Sequence, residues 1–310
     1  MEPKNIVCGI DDNYCQHCAV MLVSLFSTNK DHFIVYIYSL QITDTHKQKL
    51  EDLVNSFGNE VVFIDVDSEL ISSFPIKPTD YLSLATYLRL FIPQTLPSSV
   101  NKALYADSDI VFNGNISDLY NINIQHYSLA AIEDVPNHNP LRLGYDESES
   151  YFNAGLVLLN IDYLRTIDFT NKALDYIRNN YQKIVLHDQD VMNALLHGTI
   201  LFVDVKWNML DCFFKKNPLV PIRYEKELHI SLESPKVIHY SGPLKPWHHG
   251  CSHPLKNQYF KYLKRIPWGK RACSYSYVFK KFKFPVNFLI FCGCTLDQAE
   301  YIYAKIKIRF

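Results

Sequence analysis

Apolar and polar positions alternate along the first part of the chain in a regular rhythm. Asn5-Ile6-Val7-Cys8-Gly9-Ile10 is a short apolar run that stops at Asp11-Asp12-Asn13, and a helical pattern from Tyr14 to Ser27 follows it. His32 to Ser39, rich in Ile, Val, Tyr and Phe, reads as a second strand. Thr43 to Phe57 then places Leu50, Leu53, Val54 and Phe57 at helical spacing behind Thr43 as a candidate cap, and Val61 to Ile64 is a third strand. This βαβαβ order predicts right-handed crossovers onto a mostly parallel sheet with flanking helices, the α/β class. Ligands of such sheets lie at the carboxyl ends of the strands, which puts Asp11 and Asn13 where a nucleoside can be read. Capping of the next helix by Asp12 or Asn13 explains the same letters. A Gly-x-Gly-x-x-Gly turn is missing here, which disfavours a dinucleotide cofactor.

Further along, Tyr81 to Phe91 reads as a helix carrying a single charge, Arg89. It is either an exposed or salt-bridged side chain, or a guanidinium reaching toward a phosphate or a site carboxylate. Lys102 to Val111 reads as a buried strand whose end carries Asp107 and Asp109. Residues two apart in an extended chain share a side, so the two carboxylates can converge on one hard divalent cation that leaves positions open for phosphate oxygens. The tripeptide is not distinctive by itself: Asp65-Val66-Asp67 and Asp188-Gln189-Asp190 repeat it, and the first of these also follows an apolar run. Pro136 to Glu149 has the look of a long covering loop. The small residues of Asn153-Ala154-Gly155 precede a strand and allow close approach to a ligand, or form a bulge. Asp188 and Asp190 fall at a helix start, where the dipole accounts for both acids but not for Gln189 between them.

Lys236-Val237-Ile238 is a last strand that ends in His239-Tyr240-Ser241-Gly242-Pro243-Leu244-Lys245-Pro246-Trp247-His248. A histidine can complete a cation site begun by two aspartates, though alone it is more often structural, and mixed oxygen and imidazole ligation favours Mn²⁺, with Mg²⁺ second. Gly242 permits close backbone approach, and Lys245 supplies a point charge for a diphosphate.

Composition sharpens this picture. The chain has 310 residues, 48% hydrophobic and 14% aromatic, enough to bury a large core. Eight scattered cysteines without framework spacing, and an N-terminus without a basic region or long apolar stretch, point to the cytoplasm. The net charge of -1 hides an asymmetry: residues 255–310 hold 12 Lys/Arg against 2 Asp/Glu, so the remainder is strongly acidic. We therefore divide the chain into a catalytic domain, 1–254, and a basic, aromatic extension, 255–310. Such an extension suits adsorption to the anionic inner leaflet of the plasma membrane, and it is too short in apolar runs to span a bilayer. A single basic tail on a near-neutral chain gives little support for nucleic acid.

Rival chemistries remain open at this level. Some metal-dependent phosphatases use Asp-x-Asp at a strand end, though normally on an early strand. A non-catalytic nucleotide-sugar sensor would keep the nucleoside contacts. Zinc at Cys15-x-x-Cys18 or among His248, His249, Cys251 and His253 lacks a second pair at finger-like spacing.

The separated motifs Asp11-Asp12-Asn13-Tyr14, Thr86-Tyr87-x-Arg89, Tyr105-x-Asp107-x-Asp109, Phe152-Asn153-Ala154-Gly155, Asp188-Gln189-Asp190 and His239-Tyr240-x-Gly242-Pro243-x-Lys245-Pro246-Trp247 occur together in this order. From about Asn5 to Pro267 the chain resembles the retaining glycosyltransferases of family 8, in particular the bacterial lipopolysaccharide galactosyl- and glucosyltransferases. The resemblance implies a GT-A fold, a UDP-sugar donor and a saccharide or glycolipid acceptor. By the same resemblance Asp11 and Asn13 meet the uridine, Asp107, Asp109 and His239 ligate Mn²⁺, and Gly242 and Lys245 grip the diphosphate. Arg89, Asn153, Ala154, Asp188 and Gln189 would surround the donor sugar, with Gln189 and Asp188 the candidates for catalysis. Ala106 departs from the Leu common in relatives, a change in strand packing.

Overall fold

The computed structural model describes residues 2–76, 83–135, 139–146 and 148–271. Ten strands are formed among them: β1 (Lys4–Asp11), β2 (Phe33–Leu40), β3 (Glu60–Asp65), β4 (Lys102–Ala106), β5 (Ile110–Phe112), β6 (Leu129–Ala131), β7 (Leu156–Asn160), β8 (Ile200–Phe202), β9 (Met209–Leu210) and β10 (Val237–His239). Seven of them make one sheet in the order β3-β2-β1-β4-β7-β6-β8, and β5-β10-β9 make a second. Only β7 runs against its neighbours in the main sheet, so the predicted mostly parallel α/β architecture is what is observed.

The central strands are apolar on both faces because both faces are covered. Ile6, Cys8 and Ile10 of β1, with Leu104 and Ala106 of β4, belong to the core shared with α1 (Cys15–Thr28). Val7, Ala103 and Tyr105 point the other way, into a core shared with the segment Leu84–Phe91 and the helices Phe169–Asn180 and His187–Leu196. Helix α1 is buried on nearly every side from Cys18 to Phe26, since β5, α2 (Asp44–Ser56) and the helix Lys256–Leu263 enclose it along with the sheet. Each large side chain so buried contributes about 1.5–3 kcal/mol. The expected cap of α2 is in place, with Thr43 Oγ1 accepting from His46 N at 3.4 Å.

Four expectations change in detail. Lys102 to Val111 is not one strand. The main sheet ends at Ala106, where Asp107 N donates to Gly155 O at 2.8 Å, and the chain resumes at Ile110 in the other sheet. Apolar periodicity cannot see that break because both pieces are fully buried. The run before it is 3₁₀ rather than α over Leu84–Phe91, opened by a bond from Ala85 N to Ser83 Oγ at 3.3 Å; Tyr81 and Leu82 lie outside the described residues. Part of the expected loop 136–149 is a short helix, Asn139–Leu143, while 136–138 and 147 lie outside the description. Finally, residues 255–271 of the basic extension pack against the body: Tyr259, Tyr262, Leu263 and Ile266 are buried in the α1 core. Residues 272–310, which carry most of that extension's aromatics, lie outside the described residues.

Candidate active site

A cavity of about 250 Å³ opens at the carboxyl ends of β1 and β4, the edge predicted for ligands. Asp11, Arg89, Asp107, Asp109 and Asn153 line it, as do Ala154, Asp188, Gln189, His239 and Lys245. Asn13 and Gly242 stand beside it without lining it. Asn13 is exposed and gives its N–H to Asp11 Oδ1 at 3.0 Å, so Asp11 is itself the cap of the short 3₁₀ turn Asp12–Tyr14. Asp12 turns away to Thr43 and His46.

The centre of the site follows from the switch between sheets. Because β10 pairs antiparallel with β5, His239 is placed opposite Ile110, one residue past Asp109. Tyr240 N then donates to Asp109 O at 3.0 Å, locking the two segments side by side. The closest approach comes from β7: a Cβ on Gly155 would lie 2.2 Å from His239 Cε1 and 2.9 Å from Asp107 Oδ2. Only glycine fits there.

Each carboxylate uses one oxygen on a resident cation and turns the other toward the imidazole. Asp107 Oδ1 accepts from Arg89 Nη2 at 2.8 Å and Tyr105 Oη at 2.9 Å, whereas Oδ2 is 4.0 Å from His239 Nε2. Asp109 Oδ2 accepts from Lys245 Nζ at 2.5 Å, whereas Oδ1 is 3.3 Å from Nε2. Buried Asp109 Oδ1 has no hydrogen-bond partner. Burial raises the Asp109 pKa, but the adjacent Lys245 ammonium, the largest opposing cause, helps hold the carboxyl far below its ordinary value, so it stays ionised. One oxygen from each aspartate and one imidazole nitrogen within 4.8 Å of one another form the one such cluster of acid, His or Cys ligands among the described residues. A buried carboxylate oxygen left without a donor is what a divalent cation would satisfy, and three protein ligands leave positions open to a diphosphate. The zinc alternatives find no such grouping: Cys18 Sγ packs on Cys8 Sγ at 3.7 Å, and the His248 and His253 Nδ1 atoms accept backbone N–H groups.

Arg89 answers the two-way question left by its apolar neighbours. Its guanidinium is buried, stacked 4.2 Å over the Tyr105 ring, and bridges Asp107 to Asp188, whose Oδ2 lies 2.7 Å from Nε. Burial alone would lower its pKa, yet Asp107 and Asp188 raise it, so the charge is permanent. Asp188 also accepts from Thr86 Oγ1. Gln189 spans the cavity floor, with Oε1 accepting from Ala154 N at 2.9 Å and Nε2 donating to Asp134 Oδ2 at 3.0 Å.

The acids of 188–190 are thus held by specific partners rather than by the helix dipole. Asp190 is fully buried and accepts from both Arg142 Nη atoms at 2.8 Å, from Tyr151 Oη, and from Val185 N and Leu186 N. It clasps the Asn139–Leu143 helix onto the start of the helix that carries Gln189. The first Asp-x-Asp stands apart from the cavity: Asp65 pairs with Lys47 at 2.6 Å, and Asp67 caps the turn Ser68–Ile71. Two residues that sequence reasoning passed over, Asp134 and Asn208, join the site through hydrogen bonds to Asn153. Neither belongs to a periodic segment or a motif, so no local signal marked them.

Residues 5–251 match glycosyl transferase family 8. General stress protein A of Bacillus subtilis is 28% identical, over 86% of this chain and 95% of that protein. Lipopolysaccharide 1,3-galactosyltransferase of Salmonella typhimurium is also 28% identical, over 86% of this chain and 80% of that protein. The crystal structure of galactosyltransferase LgtC in complex with donor and acceptor sugar analogues superposes with a TM-score of 0.76, covering 89% of this chain and 99% of that one at 21% identity, a likeness of fold. With most of its length matched, this chain belongs to glycosyl transferase family 8.

Proposed function

We propose that this glycosyltransferase moves a hexose, galactose or glucose, from a UDP-sugar to a saccharide or glycolipid acceptor with retention of configuration, in the synthesis of lipopolysaccharide or another surface glycan. The reading is carried by the meeting of Asp107 Oδ2, Asp109 Oδ1 and His239 Nε2 in the lining of one cavity. Mn²⁺ is the cation we assign to them, with Mg²⁺ the alternative. When bound, such a cation offsets the charge that grows on a departing diphosphate.

The chain's own residues do the rest. Lys245 is buried between Asp109 and Tyr240 O, within reach of the same diphosphate, and Gly242, which packs against Asp211 in the same segment, is assigned beside it. Asp11 and Asn13 take the uridine end. Arg89 holds Asp107 and Asp188 at fixed separation, while Asn153, Ala154 and Gln189 form the wall for the sugar. Asp188 is engaged by Arg89 and Thr86, and Gln189 by Ala154 and Asp134. Those engagements favour positioning of the donor over nucleophilic attack by either residue, and with it attack by the acceptor on the face from which UDP departs.

Adsorption of the basic extension beyond residue 271 to an anionic leaflet from the cytoplasmic side remains part of the proposal. Among the described residues no helix is long and apolar enough to cross a membrane. Co-sedimentation of the full chain with anionic vesicles, compared with a chain ending at residue 271, tests it.

For the reaction, a panel of UDP-sugars is assayed for hydrolysis and transfer with Mn²⁺, with Mg²⁺ and with chelator. We expect activity with UDP-galactose or UDP-glucose that chelator abolishes and that Asp109→Asn lowers by at least about 10²-fold. Near-normal turnover of that folded variant, or release of phosphate from simple esters in place of UDP-sugar turnover, would refute the reading.

A further inference from the structure

A chain of buried amides runs from the sugar wall to the imidazole, and its donors and acceptors can be assigned in only one way. Asp134 Oδ2 is an acceptor, and it receives Gln189 Nε2 at 3.0 Å and Asn153 Nδ2 at 3.2 Å. Gly155 N can only donate, and it gives to Asn153 Oδ1 at 3.0 Å. Both ends of the Asn153 amide are thereby fixed. Asn208, fully buried, must present Nδ2 to Asn153 Oδ1, which it does at 2.9 Å. Its remaining Oδ1 lies 2.9 Å from His239 Nδ1, so Nδ1 must carry the hydrogen. In the neutral ring Nε2 is then a bare lone pair, aimed at Asp107 and Asp109.

We propose that Asn208 is the positioning residue that holds His239 in its metal-ligating form, Nδ1 protonated and Nε2 free, through the hydrogen bond from Nδ1 to its side-chain oxygen. The proposal rests on the metal reading of Asp107, Asp109 and His239. The ring nitrogen that binds a metal is selected by the bond the other one makes, and partners of this kind orient the ring as well. Here the partner is an amide, itself oriented by Asn153, so the same network that shapes the sugar wall sets the ligand on the diphosphate side. Asn208 touches neither diphosphate nor sugar in this arrangement: it is not among the residues lining the cavity.

The test uses the full chain labelled with ¹⁵N in histidine, at about pH 8 and without metal. Ring proton–nitrogen correlations are assigned to His239 by their loss in His239→Gln. We expect the Nδ1–H tautomer in the unsubstituted chain and a shift toward Nε2–H in Asn208→Leu. Calorimetric titration with Mn²⁺ in the presence of UDP should show about 10- to 100-fold weaker binding for Asn208→Leu. An Nε2–H ring in the unsubstituted chain overturns the proposal, and this holds even if Asn208→Leu does not fold. Mn²⁺ binding that His239→Gln weakens and Asn208→Leu leaves untouched overturns it too, with the metal reading intact. If neither variant weakens Mn²⁺ binding, the metal reading fails and takes the proposal with it.

Discussion

Lys245 Nζ sits 2.5 Å from Asp109 Oδ2, with both side chains nearly sealed from solvent. The lysine therefore balances the charge of a carboxylate proposed as a metal ligand while leaving its other oxygen open. This separates two quantities that fall together when a ligand itself is removed. Lys245→Met deletes a cation near the proposed diphosphate position but leaves all three proposed ligand atoms, and it frees Asp109 Oδ2 besides. Transfer from the UDP-sugar should fall by about 10²–10³-fold, the scale for losing one charged stabiliser of a leaving group. Mn²⁺ affinity should hold or rise. Turnover and Mn²⁺ titration on the same preparation check both halves; equal loss in the two would show that Lys245 only maintains the shape of the site.

Gly155 offers a sharper steric test. A methyl group there meets the His239 ring at 2.2 Å and Asp107 at 2.9 Å, and neither neighbour is free to retreat, because Asn208 holds the one and Arg89 the other. Gly155→Ala should thus lose Mn²⁺ binding and transfer together, while the sheet survives and far-ultraviolet circular dichroism is unchanged. Normal Mn²⁺ affinity in this variant would mean that His239 is not a ligand.

The alternating segments were readable because their side-chain pattern is the fold's own logic. Strands β1 to β3 and helices α1 and α2 emerged within a residue or two, with Thr43 as the cap. Pattern could not rank Asp107-Ser108-Asp109 above Asp65-Val66-Asp67, since an apolar run precedes each. The difference is position in the sheet: Asp65 ends the edge strand β3 and finds Lys47, whereas Asp107 directly follows β4, flanked by β1 and β7, where Arg89, Gly155 and His239 can reach it. The strand break at Ala106, the 3₁₀ winding before Arg89, and the roles of Asp134 and Asn208 are set by partners far away in sequence. No window of local residues contains that information.

Arg89 is expected to matter to stability as much as to chemistry. It is the shared counter-charge of Asp107 and Asp188, and Asp188 is itself almost completely buried. Breaking a buried ion pair by removing one partner costs about 3–5 kcal/mol. Arg89→Met should lose stability on that scale in urea denaturation. Arg89→Lys should rescue little, because an ammonium cannot bridge two carboxylates and stack on Tyr105 at once. Replacing Asp188 by Asn in the Arg89→Met background removes the stranded charge and should return part of the loss. A folded Arg89→Met chain of undiminished stability would show that water already screens these acids.

The imidazoles away from the ligand cluster predict how stability responds to acid. His17 stacks on Trp247 at 3.5 Å and bonds Tyr259 Oη at 2.8 Å; burial and the neighbouring His248 push its pKa from 6.5 down to about 3. Burial likewise pushes His253 down to about 4. An unfolded chain takes up both protons as pH falls below 6.5, whereas the folded one refuses them until about 4 and 3, so the unfolded state binds more protons throughout that window. Stability then rises with pH across it and is lost as pH falls through it. Asp109 adds loss in the same direction further down, below the ordinary carboxylate value of 3.8, because its folded pKa is depressed. Asp211 and Asp188 oppose them: burial raises both carboxyls, so their contribution is fully present below 3.8 and declines as pH rises through the raised values. The two imidazoles, at about 1–2 kcal/mol each between pH 7 and 5, set the expected direction. Urea denaturation should therefore give a lower midpoint at pH 5 than at pH 7, and His253→Gln should flatten the difference. Equal midpoints at the two pH values would mean that the folded chain protonates both rings as readily as the unfolded one.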